Sequence, residues 1–378
     1  LSALEHRLRD GGLSLVHEFD SVPRQRVSAG RSTALKHENA RRNRYSNVLP
    51  YEDTRVMLRP TKANAHGYIN ASNVQMHLGD SVLSYIAAQA PTKDTLADWW
   101  QMVWESGSQV IVMLTRLQER VKEQRRELCA VYWPQTPANK KLKLADWHVS
   151  TQSVSAETAG RVITTLTLKH VPSGAKRTVY HLQYLLWPTG SIPDNIDSLL
   201  GFLDEVNSVR RHLDNELHRA HGEAHAPQRS RSASTSRSLD STGRTRLNRQ
   251  TPPPPRQAVQ SSSGRSHASS SVGTPASSDL STTSSSLLDS SHQQRSSASS
   301  SAMPPPPTIV HCCSGAGRTG AYILIELMLH CLEHNQSLEV ARALLLLRQQ
   351  RMHLLQSATQ YKFVYMCLIE YLRNSRLI

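Results

Sequence analysis

The sequence predicts an α/β fold, and three observations carry that expectation. Apolar runs of strand length precede helical ones, as in VIVML at residues 110–114 and RTVYHLQYLLW at 177–187. A short strand at 308–311 leads into a long apolar helix over about 319–334 through four small residues, Ser314, Gly315, Ala316 and Gly317. The composition breaks between Arg219 and Pro307, a stretch of Ser, Thr, Pro, Arg and His with almost no aromatic or β-branched apolar residues. Strands that feed helices put a functional site at a strand's C-terminal end.

Each element follows from a local pattern. DNIDSLLGFLDEVNSVRRHL has helical periodicity, with Asp194 as its expected N-cap. The segment 219–307 cannot bury enough apolar surface to offset its ordering entropy and is expected to be a disordered insertion. Loop closure costs only about 0.6 kcal/mol per doubling of length, so residues 1–218 and 308–378 are expected to form one domain around it. Its proline runs at 252–255 and 304–307 suit SH3- or WW-type domains, and Arg-x-x-Ser sites such as Arg231 to Ser234 suit kinases. Further helices are expected at 338–350 and from Ser357, whose spacing to Gln360 is a capping box. Tyr361, Val364, Tyr365, Leu368 and Leu372 share one face of the last helix.

The chain has 378 residues, five cysteines and a formal net charge of +14. It begins at Leu1 rather than methionine and reads as a piece of a longer protein. Cys129, Cys312, Cys313, Cys331 and Cys367 lack framework spacing and suggest a reducing compartment. No run approaches the ~18 apolar residues of a membrane span, and no signal-peptide core stands at the start. The basic balance favours anionic partners. Histidines recur at no metal-ligand spacing, so no metal or cofactor is expected.

VHCCSGAGRTGAY, from Val310, carries the chemistry. A strand, a small-residue loop and a helix start make an anion cradle of backbone N–H groups and helix dipole. That field would hold Cys312 as a thiolate at neutral pH. Arg318 can fork two oxygens of a phosphate, and Thr319 can donate its hydroxyl to the sulfur. Nucleophile, cradle and clamp together describe phosphoryl transfer to sulfur. Gly315-x-Gly317-x-x-Gly320 also has the spacing of a dinucleotide fingerprint, but Glu339, the acidic residue near the required distance, falls in a helical run.

His311, Cys312, Arg318, Thr319 and Gly320 fit the His-Cys-x5-Arg-Ser/Thr-Gly signature of the protein tyrosine phosphatases, which the chain resembles. Six further blocks agree in order. They are NRYSNVLPYEDTRV from Asn43, GYINAS from Gly67, YIAAQAPTKDTLADWWQMVWE from Tyr85, VIVMLTRLQE from Val110, YWP at Tyr132 and LQSATQYKFVY from Leu355. The ending CLIEYLRNSRLI looks most like the Pez-type non-receptor members, which carry an N-terminal FERM domain.

The resemblance implies one domain with a twisted mixed sheet flanked by helices. It also implies hydrolysis of phosphotyrosine in proteins through a cysteinyl-phosphate intermediate. His311, Cys312, Arg318 and Thr319 would be catalytic, with Gln356 and Gln360 positioning water and Gln356 also touching substrate. Tyr45 would stack on the substrate ring and Asn47 would hold its backbone. Cys313, Ser314, Gly315, Ala316, Gly317 and Arg318 would bind the phosphate. Glu119 would partner Arg318, and Trp187 and Pro188 would belong to the loop that bears the general acid. The implied partners are phosphotyrosyl proteins, with no nucleic acid. The implied location is cytoplasmic, with cytoskeletal or membrane association through the FERM domain.

The acid position departs from the family. In LLWPTGSIPDN, Thr189 stands where members have the Asp that protonates the leaving tyrosine oxygen, a contribution of roughly 10²–10⁴-fold. Leu128 replaces a lysine, and Cys313-Ser314 replaces the usual Ser-Ala. The expectation is a slow phosphatase. The alternative is a catalytically impaired pseudophosphatase that binds phosphotyrosyl proteins as a scaffold.

Overall fold

Val110, Val112 and Leu114 pack into one hydrophobic core, whereas Ile111 and Met113 pack into a second. Successive side chains of a strand point to opposite faces, so a continuous apolar run marks a strand covered on both sides. The structure, a computed structural model, describes residues 1–121, 124–224 and 305–375.

Helices α1 (Ser2–His6) and α2 (Leu13–Ser21) precede strands β1 (Arg55–Met57), β2 (Tyr68–Leu78) and β3 (Ser81–Gln89). Helix α3 (Leu96–Glu105), strand β4 (Val110–Met113) and the hairpin of β5 (Gln118–Val121) and β6 (Gln124–Glu127) follow. Strands β7 (Leu142–Leu144), β8 (Trp147–Val154), β9 (Arg161–His170) and β10 (Lys176–Tyr184) lead to helix α4 (Ile196–Ala224). Strand β11 (Thr308–Cys312) and helices α5 (Gly317–Glu333), α6 (Val340–Gln350) and α7 (Ala358–Asn374) come last.

Among the described residues, nine strands form one mixed sheet in the order β1-β2-β3-β11-β4-β10-β9-β8-β7. The central β3, β11, β4 and β10 run parallel, and the outer strands pair antiparallel. Helix α3 covers one face, and α2 with α4 to α7 covers the other. The twisted mixed sheet flanked by helices is therefore as expected. Strand β11 slots between β3 and β4, so chain from both sides of the 219–307 stretch builds one sheet. Cys312 pairs with Gln89, which brings both to the same edge of the central parallel strands.

Several boundaries differ from those read in the sequence. Asp194 does not cap α4: the Asn195 carboxamide accepts the Ser198 amide at 2.9 Å, and Asp194 is exposed. The first helical residue is Ile196, so only the side chain just before it reaches the third amide of the turn. Helix α4 continues through Ala224, past the composition break at Arg219, because Ala220, Glu223 and Ala224 are strong helix formers. Residues 225–304, with the expected kinase site and the 252–255 proline run, lie outside the described residues. Helix α5 begins at Gly317, which puts Arg318 in its first turn. Ser357 caps α7, accepting the Gln360 amide at 3.2 Å, but the Gln360 carboxamide turns to the Gln356 amide instead of completing a reciprocal box. No helix of the described residues is long and apolar enough to cross a membrane.

Candidate active site

Cys312 ends the central strand β11, and the chain turns at once into α5. The turn demands small residues. Gly315 has φ +66°, and a Cβ there would lie 2.2 Å from the Ala88 carbonyl oxygen. Gly320 allows the chain at Leu355 to pass, since a Cβ would lie 2.2 Å from the Leu355 nitrogen. Beneath the turn sits a residue that the sequence reading missed. Arg351, fully buried, donates Nε to the Gly315 carbonyl at 2.7 Å and Nη2 to the Ser314 carbonyl at 3.1 Å. Its other contacts are Asn70 Oδ1 at 2.8 Å and Ser72 Oγ at 3.2 Å. Burial pushes its guanidinium down to about 10, still cationic at neutral pH. The clamp draws two carbonyls away from the loop's open side, which leaves that side to amides.

The Cys312 sulfur accepts the Thr319 hydroxyl at 3.3 Å. Burial alone would push this thiol up. The Arg318 guanidinium, the Thr319 hydroxyl and amide and the Ala316 amide outweigh it and hold the thiol below its ordinary value. The sign is that of a thiolate that persists to lower pH than a free cysteine's. Iodoacetamide labelling of Cys312 should therefore show a midpoint below the ~8.5 of a free thiol, and vanadate should suppress it. An ordinary midpoint that ignores vanadate would rule out an anion-binding thiolate.

Arg318 is 5% exposed and already engaged. Its Nη1 donates to the Trp187 carbonyl at 2.9 Å and its Nη2 to the Thr189 hydroxyl at 3.0 Å, with Cys313 Sγ at 3.6 Å. Trp187 anchors the loop, its ring packed edge-on against Phe363 and its indole N–H bound to the Ser191 carbonyl at 3.0 Å. Pro188 and Thr189 are exposed beyond it.

Glu119 departs from expectation. Among the described residues it makes no ion pair with Arg318; its Oε1 accepts the Thr189 amide at 3.1 Å, so it reaches the arginine only through that loop. Burial would raise its carboxyl, but the Thr189 contacts and the nearby Arg318 and Arg116 hold it below the usual range. The physical reason is position: on the exposed hairpin, Glu119 meets the backbone of the Trp187 loop first. Asp194 lines a cavity of about 390 Å³ with Glu119, Leu128, Trp187 and Arg318.

Two further segments come to the Cys312 loop, one bearing Tyr45 and one bearing Gln356 and Gln360. Tyr45 is half-buried; its hydroxyl meets the Cys313 side chain and accepts Arg126 Nη2 at 3.2 Å. Burial and Cys313 push this phenol up, against the pull of Arg126 and Arg44. Its loop is pinned by Gln89, which accepts the Arg44 amide at 2.9 Å and donates to the Arg42 carbonyl at 2.7 Å. Asn47, two residues further along the same loop, is exposed. Gln356 and Gln360 lie over the start of α5: their side-chain atoms fall 2.8 Å and 3.2 Å from where a Gly317 Cβ would stand.

His311 is buried under the loop. Its Nε2 meets the Tyr132 hydroxyl at 2.8 Å, and that hydroxyl meets His181 Nε2 at 2.7 Å. Burial pushes His181 down to about 3 and His311 well below the usual imidazole range, so both are neutral.

A cysteine at the end of a central parallel strand, under a helix start that carries an arginine in the same turn, defines a cysteine-loop phosphatase architecture. The comparisons agree. The protein-tyrosine phosphatase family matches residues 39–223 and 272–370, and the chain belongs to it. Tyrosine-protein phosphatase non-receptor type 14 from Homo sapiens is 34% identical over 377 residues, covering 99% of this chain and 24% of that protein. Type 21 from Rattus norvegicus is 34% identical over 376 residues, again covering 99% and 24%. Type 13 from Mus musculus is 37% identical over 179 residues, 46% of this chain. The chain spans about a quarter of the length of the first two relatives. The expected likeness to the Pez-type non-receptor phosphatases stands on these matches.

Proposed function

We propose that the chain hydrolyses phosphotyrosine in proteins through a cysteinyl-phosphate intermediate, and does so slowly because Thr189 stands at the acid position. The observation that carries this reading is the Cys312 sulfur, lowered in pKa and set beside Arg318 under the start of α5.

The thiolate attacks phosphorus as the bond to the tyrosine oxygen breaks. Loop amides from Cys313 to Gly317 and the Arg318 fork hold the phosphoryl oxygens. Tyr45 gives the ring a wall at a depth that suits phosphotyrosine. The departing oxygen needs a proton, and a threonine hydroxyl supplies none at neutral pH. Water, oriented by Gln356 and Gln360, then displaces the sulfur, and the Thr319 hydroxyl steadies the thiolate as it leaves. His311 acts from beneath as a neutral buttress of the loop. The partners on this reading are phosphotyrosyl proteins, with SH3- or WW-type domains and kinases at the 225–304 segment. The location is the cytoplasm, near cytoskeleton or membrane.

A second reading, a phosphotyrosine-binding scaffold, is favoured by one contact. The Thr189 hydroxyl occupies a fork N–H of Arg318 at 3.0 Å, so a phosphate must displace the loop's own group before it is clamped. Single-turnover mixing with a phosphotyrosyl peptide, following released phosphate and retained peptide together, separates the two. Stoichiometric release within minutes supports the slow enzyme. Stable capture without release supports the scaffold, and neither capture nor release would remove both.

A further inference from the structure

Arg348 is a guanidinium in the core, 1% exposed, that pairs with no carboxylate among the described residues. Its partners are three backbone carbonyls: Leu354 from Nε at 3.1 Å, Val22 from Nη1 at 2.6 Å and Leu355 from Nη2 at 2.9 Å. The Phe19 ring of α2 lies 4.7 Å below it. A buried cation held only by carbonyls costs desolvation without an ion pair in return, which calls for a reason beyond packing.

The reason lies in what those carbonyls precede. His353 and Leu355 both take left-handed backbone, φ +60° and +59°, a conformation that L residues avoid. Strain of this kind persists only where the surroundings over-determine it. Here the Leu355 amide is tied to the Ala316 carbonyl at 3.1 Å, while Arg348 holds the Leu354 and Leu355 carbonyls from the other side. The next residue is Gln356. The two left-handed residues turn the chain so that its carboxamide comes over Gly317.

We infer that Arg348 is a positioning residue for the second step: by fixing the Leu354 and Leu355 carbonyls it aims Gln356 and Gln360 at the water that releases phosphate from Cys312. In that step the water oxygen bonds to phosphorus, the S–P bond breaks with its electron pair returning to sulfur, and the water proton passes to solvent. Through the Val22 carbonyl, the same guanidinium makes the end of α2 part of the support. The inference rests on the proposed reaction.

The test is Arg348→Met in the full chain, with p-nitrophenyl phosphate, whose leaving group needs no acid. Wild type should release one equivalent of nitrophenol in a burst and then turn over steadily. The variant should keep the burst while its steady rate falls about 10- to 100-fold, with KM falling alongside. Its vanadate affinity should drop by a similar factor, and Arg348→Lys should recover part of both. Phe19→Leu, which loosens the same packing but keeps the guanidinium, should retain wild-type kinetics per folded molecule. A steady rate and vanadate affinity unchanged in Arg348→Met, or lost equally in Phe19→Leu, overturns the positioning role while leaving the reaction intact. No burst and no vanadate binding in wild type removes the proposed reaction, and this inference with it.

Discussion

Thr189→Asp should raise turnover on a phosphotyrosyl peptide by roughly 10–10³-fold, the lower part of what a general acid supplies. Turnover on nitrophenyl phosphate should change much less, because nitrophenolate leaves without a proton. The Thr189 hydroxyl stands 3.0 Å from Arg318 Nη2 and its amide is held by Glu119, so the loop already sits over the site. Two features limit the gain. An ionised carboxylate at this position would pair with Arg318 in the empty site and resist protonation, and buried Leu128 offers no cation where the family has lysine. The gain should therefore be largest on the acidic side of neutrality. Unchanged peptide turnover, measured with both substrates across pH, would show that the missing proton is not the main defect.

Arg351→Met should weaken vanadate binding about 10²-fold, as loss of aligned amide donors does in other oxyanion sites. The side chain touches no ligand. Its removal frees the Ser314 and Gly315 carbonyls and leaves Asn70 Oδ1 and Ser72 Oγ without their partner. Unpaired buried acceptors cost about 1–3 kcal/mol each, which favours rotation of the peptide units that now face inward. The apolar replacement recovers some desolvation energy, so melting temperature should fall less than binding does. Vanadate titration followed by Cys312 labelling, with thermal melts beside it, reads both. Vanadate affinity within threefold of wild type would mean that the glycines alone hold the loop.

The layout of the Cys312 loop was legible because it is contiguous. A strand end, four small residues and a helix start occupy neighbouring positions, so Cys312, Arg318 and Thr319 meet through local geometry alone. Gly315 and Gly317 had a sequence signal for the same reason, as did the Ser357 cap. The continuous apolar run at 110–114 announced a strand covered on both faces. Asp194 against Asn195 was not resolvable, since both side chains cap equally well and only the position of Ile196 chooses.

What the sequence by itself determined is the α/β character, the small-residue loop between Cys312 and Arg318, the threonine at position 189 and the family. These depend on residue identity and short spacing. Only the tertiary structure decided which distant groups serve that loop. Arg351 reaches back to Gly315, Arg348 spans from Val22 to Leu355, Gln89 pins the Tyr45 loop, and Glu119 holds Thr189 rather than Arg318. Those partners are set by strand order and helix packing. Until β11 is seated between β3 and β4, an arginine in a helical run carries no mark of the carbonyls it will hold.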